Sequence, residues 1–167
     1  MVMHKQYVAT GYIYDREQES FLFILHKKLG KWLPPGGHLH EGEEPHNGML
    51  REVREETGVE GRILNLLKMP EVATRTVEQL PTPFCMLSEI IPAGPNEDEH
   101  VHIDFVYVVE IDFSEPLYLC QEEVALAKWV SSEKVEELDT YENVKQVCRS
   151  IRASIISQRE REIAQNL

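Results

Sequence analysis

Between Gly37 and Val59 the chain reads GHLHEGEEPHNGMLREVREETGV, and no other stretch limits its fold so strongly. Pro34 and Pro35 restrict the backbone leading in, and Gly36 and Gly37 then allow angles closed to other residues. The spacing beyond predicts a helix from about Pro45 to Thr57, stopped by Gly58. At about 100° of rotation per residue, Glu52, Glu55 and Glu56 fall on one helical face, while Met49, Leu50 and Val53 point away from it. Such a helix can pack by its apolar side and still present three carboxylates to a cleft. Like charges this close raise one another's pKa and weaken the helix by roughly a few tenths of a kcal/mol per pair, so they call for a cation. A ligand set made only of oxygens suits a hard ion such as Mg²⁺, with Mn²⁺ as the alternative, rather than zinc. The competing reading is an ordinary solvated acidic face.

The surrounding residues favour the first reading. Gly37, Glu43, Arg51, Glu52, Val53, Glu55, Glu56, Gly58 and Val59 fill every fixed position of the pattern Gly-x5-Glu-x7-Arg-Glu-U-x-Glu-Glu-x-Gly-U, with U aliphatic. At ordinary residue frequencies a chance match at a given start is rarer than about one in 10⁸. The chain thus resembles the Nudix hydrolases, from Val8 to about Leu138 and most closely in this box. The resemblance implies a three-layer α/β/α sandwich around a mixed β-sheet. It also implies a divalent-metal-dependent pyrophosphohydrolase that cuts a diphosphate linkage in a nucleotide-type substrate. By resemblance Glu52 and Glu56 are direct metal ligands helped by the Gly37 carbonyl, Glu55 binds directly or through water, and Arg51 pairs with Glu43 to fix the loop on the helix. Glu123 stands six residues before Trp129, the spacing at which Nudix hydrolases often place a further metal-binding or catalytic acid. It fits that spacing better than Glu122. Family members differ in which Glu is the general base, so Glu52 and Glu123 both stand as candidates.

Length and charge set the wider frame. With 167 residues the chain is near the common size of one domain and buries roughly two-thirds of its unfolded surface, so residues 1–167 read as one domain. The longest apolar runs, Phe21 to Leu25 and Phe105 to Val109, are too short to cross a membrane, and no signal pattern opens the chain. These features predict a cytoplasmic protein with no membrane partner. Cys85, Cys120 and Cys148 lack C-x-x-C spacing and read as reduced thiols. A net charge of -12 repels nucleic-acid polymers while admitting a small nucleotide that arrives with its own Mg²⁺. A homodimer is compatible with all of this.

Aromatic and β-branched runs predict strands at Gln6 to Tyr14 and Phe21 to His26, joined as a hairpin by Asp15 to Ser20. Further strands are expected at Lys31 to Pro35, Arg62 to Lys68, Phe84 to Ile91, His102 to Ile111 and Ala125 to Val130. Ser132 is a candidate N-cap for a short helix from Glu133 to Leu138. Val144, Val147, Ile151 and Ile155 recur at helical spacing and predict a C-terminal amphipathic helix from about residue 141, with a polar, frayed end. The connections Pro70 to Pro83 and Pro92 to Glu99 are candidate substrate loops.

Other residues carry weaker signals. His38-x-His40 and His100-x-His102 have the alternation that puts two rings on one side of a strand, as a zinc site needs, although neither pair has a nearby Cys. Contact of His38 and His40 with substrate phosphate is the better functional reading. Asp104 enters an apolar strand and reads either as an acceptor for a base edge or as a cap on the strand's exposed end. Trp32, Phe84 and Phe105 suit stacking on a nucleobase or a place in the core. Relatives that cleave ADP-ribose tend to carry a Pro near positions 74–76, and dinucleoside polyphosphate relatives a Tyr; the chain has neither there. That leaves a (deoxy)nucleoside triphosphate as the leading class, with ADP-ribose or another nucleoside diphosphate derivative as the alternative. A non-catalytic nucleotide sensor is a further alternative, but sensors on this scaffold usually lose box acids that are all present here. An isomerase would need an acid-base pair that nothing in the sequence singles out.

Overall fold

A computed structural model describes residues 3–67, 69–95, 97–111 and 116–165. In chain order the elements are β1 (Lys5–Asp15), β2 (Ser20–His26), β3 (Lys31–Leu33), β4 (Gly36–His38), α1 (Pro45–Thr57), β5 (Arg62–Ile63), β6 (Cys85–Ile91), β7 (His100–Glu110), β8 (Val124–Ser131) and α2 (Glu142–Gln165). All the strands join one mixed sheet. β1 and β7 run parallel at its centre, from Lys5 opposite Val101 to Ile13 opposite Val109. The other edge of β1 is divided: Val8 to Thr10 pair with β4, and Ile13 to Asp15 pair with β2. β2 goes on to pair with β3 and β8, and β7 carries β6 beside its first half and β5 beside its end.

Strand alternation sorts the side chains into two cores. Tyr12, Tyr14, Phe21, Phe23, Val106 and Val108 face α2 and pack on Val144, Val147, Ile151 and Ile155. Ala9, Ile13, Leu22, Tyr107 and Val109 face α1 and pack on Met49 and Val53. Helix, sheet and helix thus form the three expected layers. Gly11 sets the spacing on the α1 side, since a Cβ there would stand 2.9 Å from both Met49 Sδ and Val53 Cγ2.

The structure departs from the sequence expectations in five places. Gly36–His38, expected as a bare turn, is a strand in its own right, because β1 offers it an open edge. The strand expected over Arg62 to Lys68 stops at Ile63, with one further bond from Leu64 N–H to the Val108 carbonyl; Lys68 lies outside the described residues. Ser132 caps no helix: its hydroxyl donates to the Glu19 carbonyl and ties β8 to the hairpin, and only a 3₁₀ turn, Val135–Glu137, follows. The C-terminal helix continues to Gln165 instead of fraying over its last ten residues, although nothing beyond Ile155 is buried. Asp104 lies in the middle of β7, paired with Val8 and Leu87, so it caps no strand end.

Candidate active site

β4 brings the backbone of Gly36 and Gly37 against the acidic face of α1. A Cβ on Gly37 would lie 2.5 Å from Glu52 Oε1, so only glycine lets that carboxylate rest on the strand. Gly36 N–H donates to Glu56 Oε2 at 2.9 Å. Glu56 is only 2% exposed. Burial pushes its carboxyl up to about 8; the Gly36 bond opposes this, and the nearby charges of Glu52, Glu123 and Glu55 add to it. A buried carboxylate facing three other acids with one N–H donor is costly to keep charged.

Arg51 organises the rim. Its guanidinium grips Glu43 with two bonds, Nε to Oε1 at 2.9 Å and Nη2 to Oε2 at 3.0 Å. Nη2 also donates to the His38 carbonyl at 3.0 Å, and Nη1 to Glu52 Oε1 at 2.7 Å and Glu55 Oε2 at 3.1 Å. One planar donor thus ties β4, the following loop and α1 together. The bond from Arg51, with the His40 N–H, holds the Glu43 carboxyl down at about 2. Gly58 closes α1 at φ 77°, and its N–H donates to the Arg54 carbonyl at 2.8 Å. A side chain there would also strike Tyr118.

Glu123 arrives from far along the chain because the segment before β8 is hydrogen-bonded to the end of α1. Tyr118 N–H donates to the Thr57 carbonyl at 2.8 Å and Cys120 N–H to the Glu56 carbonyl at 3.4 Å. From the other side Lys27 N–H donates to the Glu123 carbonyl at 2.8 Å, and Lys27 Nζ to the Gln121 carbonyl. Exposed Glu123 is thereby near enough for its charge to act on Glu56, whereas Glu122 accepts the Cys120 thiol. Lys27 gave no signal in the sequence; its role depends on a turn and a loop nearly a hundred residues apart.

The remaining candidates separate. His38 and His40 do not act as a pair. His40 is exposed beside Glu43, while the His38 ring meets His102 edge-on at 5.0 Å and bonds Gln6 Oε1 at 2.6 Å. His100 and His102 stay together, Nε2 to Nε2 at 3.1 Å. The Asp98 carbonyl lies 2.8 Å from His100 Nδ1 and can only accept, so Nδ1 carries the proton of that bond. Burial, with the neighbouring histidines, lowers His102 to about 4, so it stays uncharged near neutral pH. Among the described residues no three His, Cys, Asp or Glu side chains are gathered in a way that could hold a metal ion. At the acids the reason is visible, since Glu52 and Glu55 both lean on Arg51. The donor set itself is all carboxylate and carbonyl oxygen, and with its buried excess of negative charge it fits a hard divalent cation.

Asp104 and Phe105 point to opposite faces of β7, so they cannot hold one group between them. Asp104 is 6% exposed; Thr10 Oγ1 donates to its Oδ2 at 2.9 Å, and its Oδ1 has no hydrogen-bond partner. Burial raises it to about 7, and the charge of Glu89 adds to the shift. Half-buried Glu89 accepts from Asn143 at the start of α2. Phe105 lies on the α1 side, 6.5 Å from the Tyr7 ring. Trp32 already carries Lys128 Nζ over its ring at 4.0 Å. Residues 70–73 and 78–81 line a cavity of about 470 Å³ with Leu64, Phe84 and Val108, and none of the four candidate acids reaches it.

A mixed sheet lies between two helices, with a glycine strand pressed against an acid-bearing helix, and this architecture is an α/β/α sandwich. The chain belongs to the NUDIX family, whose domain it matches over residues 4–149. Mouse diphosphoinositol polyphosphate phosphohydrolase 3-alpha is 40% identical over 53 residues, 32% of this chain and 32% of that protein, and the human protein of the same name matches to the same extent. The chain thus spans about a third of the length of the curated relatives it matches. Among solved structures, a NUDIX-family hydrolase from Clostridium perfringens superposes with a TM-score of 0.70 at 24% identity, over 95% of this chain and 99% of that one. An Ap4A hydrolase from C. elegans gives 0.64 at 17% identity, over 93% and 99%. The E. coli dihydroneopterin triphosphate pyrophosphohydrolase gives 0.61 at 13%, over 90% and 97%. At these identities the shared property is the fold. No helix among the described residues is long and apolar enough to cross a membrane.

Proposed function

We propose that this protein is a divalent-metal-dependent pyrophosphohydrolase that cleaves a diphosphate linkage in a nucleotide-type substrate. The observation that carries the proposal is Glu56, a buried carboxyl raised to about 8 and surrounded by the charges of Glu52, Glu123 and Glu55. Such a group is compensated by a cation rather than by further hydrogen bonds. Glu52, Glu55, Glu56 and Glu123, with the Gly37 carbonyl, would hold Mg²⁺ or Mn²⁺. When bound, that cation neutralises phosphate oxygens and makes water more acidic. Glu52 or Glu123 takes the proton of the attacking water, and Arg51 keeps the loop and the helix acids in register.

A nucleotide is favoured by the far side of the sheet. Asp104 Oδ1 is buried without a donor, and burial together with the charge of Glu89 raises its carboxyl to about 7, which makes an added donor there favourable. An amino group of a base can donate to that oxygen, whereas the phosphate oxygens of a polyphosphorylated ring can only accept. Product formation from (deoxy)nucleoside triphosphates, Ap4A, ADP-ribose and a diphosphoinositol polyphosphate, separated and identified side by side, tests both parts. Turnover of a nucleotide that is lost in EDTA and restored by Mg²⁺ or Mn²⁺ is expected. Undiminished hydrolysis in EDTA overturns the metal requirement, and exclusive turnover of the inositol compound overturns the substrate class.

A further inference from the structure

β6 lies at the margin of the sheet. Among the described residues it pairs with β7 alone, from Cys85 opposite Val106 to Ile91 opposite His100, which leaves its other edge without a strand. Natural sheets usually protect such an edge with charge, proline or a bulge. This one reads Cys-Met-Leu-Ser-Glu-Ile-Ile, contains no proline, keeps an unbroken register with β7, and carries Glu89 as its single charge. Two of its large apolar side chains face water, Met86 at 58% and Ile90 at 67% exposure. They stand four residues apart and so share a face with Ser88 between them. Cross-strand pairing places that face on the side of Phe105, which partners Met86 and packs with the α1 core.

The pattern is self-complementary about Ser88. In an antiparallel pairing with a second copy centred there, Ser88 lies opposite Ser88, Met86 opposite Ile90, and Leu87 opposite Glu89. Each exposed apolar side chain then meets the partner's other one, and the lone carboxylate meets a leucine instead of its own copy. Cross-strand pairs of this kind are the unit of sheet stabilisation, while like charges directly opposite are destabilising. Two chains that each carry a net charge of -12 can approach only where charge is sparse, and β6 is such a place. A two-fold contact requires a patch that complements itself, and this strand does so in register, polarity and charge.

We infer that β6 is the self-association edge of this protein, joining two copies through an antiparallel β6–β6 pair centred on Ser88 and continuing one sheet across both. The inference is independent of the catalytic reading, because no proposed catalytic residue lies on β6.

Light scattering on size-separated protein, from about 1 to 100 μM, gives the first test. A dimer is expected that dissociates in the Met86→Lys/Ile90→Lys double variant, whose substitutions sit on water-facing side chains and leave the melting temperature of the monomer near that of the wild type. The second test reads the register. Ser88→Cys is expected to form a covalent dimer under mild oxidation, whereas Met86→Cys does not, because the two copies of position 86 are offset along the strands. The three native cysteines supply the background in the unsubstituted protein. A monomer at every concentration overturns the inference, as does a dimer unaffected by the double variant. A Ser88→Cys protein that cross-links no more than the wild type overturns the register.

Discussion

The two helices dock on opposite faces of one sheet, and they do so by different physics. α2 buries Val144, Val147, Cys148, Ile151 and Ile155, side chains that gain by leaving water. α1 buries Met49 and Val53 in the same way, but it also buries Glu56, which loses by it. A fold under selection for stability alone has no use for a carboxyl raised to about 8 beside three more acids. The α1 side therefore reads as the place where stability is given up for chemistry, and the α2 side as scaffold apart from the buried Asp104 carboxyl beneath it. The local supports agree. Arg51 gathers the loop, the strand and two helix acids at α1, while the polar contacts of Arg149 on α2 lie on the exposed face with Glu136 and Glu142.

The contrast breaks most visibly at Glu56. Glu56→Gln is expected to reduce turnover to that of EDTA-treated protein while leaving the metal-free melting temperature unchanged or higher, because folding no longer has to protonate or bury an ionisable carboxyl. Wild-type turnover at low Mg²⁺ would contradict the assignment. Ile151→Ala is the mirror experiment: a loss of about 2–5 kcal/mol in urea unfolding, with kcat intact below the transition. A matching loss of kcat would mean that the α2 side takes part in the chemistry.

Glu123→Gln sharpens the extent of the α1 site. A fall in kcat of about 10² is expected, with Glu122→Gln close to wild type. A reversed pair moves the role to Glu122, and normal kcat in both single variants and in the double variant leaves the base on α1 itself. The smallest effect belongs to Glu43. Its folded value of about 2 lies below the ordinary 4.5, so its stabilisation is complete above about pH 4.5 and is lost as pH falls through about 2. Acid unfolding of Glu43→Gln should lack that part of the pH dependence, and an unchanged acid profile would mean that the Arg51 clasp contributes nothing measurable to folding.

Local patterns were legible in the sequence. The helix Pro45–Thr57 and its Gly58 stop appear as expected, because capping and periodicity act over a few residues. The apolar stripe Val144, Val147, Ile151 and Ile155 was equally direct, since burial of one helix face is written into its spacing. Within the candidate site, Glu52, Glu55 and Glu56 were readable as one face, and Arg51 and Glu43 as a pair by resemblance. Features that depend on which strand lies beside which were not readable. Gly36–His38 becomes a strand only because β1 leaves Val8 to Thr10 unpaired on that side. His38 leaves His40 and joins His100 and His102 because β1 sets β4 and β7 on its two edges. Lys27, Thr10, Gln6 and Asn143 acquire partners 94, 94, 91 and 54 residues distant. The sequence by itself determined the two long helices, the apolar runs of the main strands and the acidic face, all set by neighbours within about one or two turns of chain. Only the tertiary structure decided how deeply Glu56 is buried, where Glu123 arrives and which edge of the sheet stays open, because burial and strand adjacency depend on segments that meet only when the sheet closes.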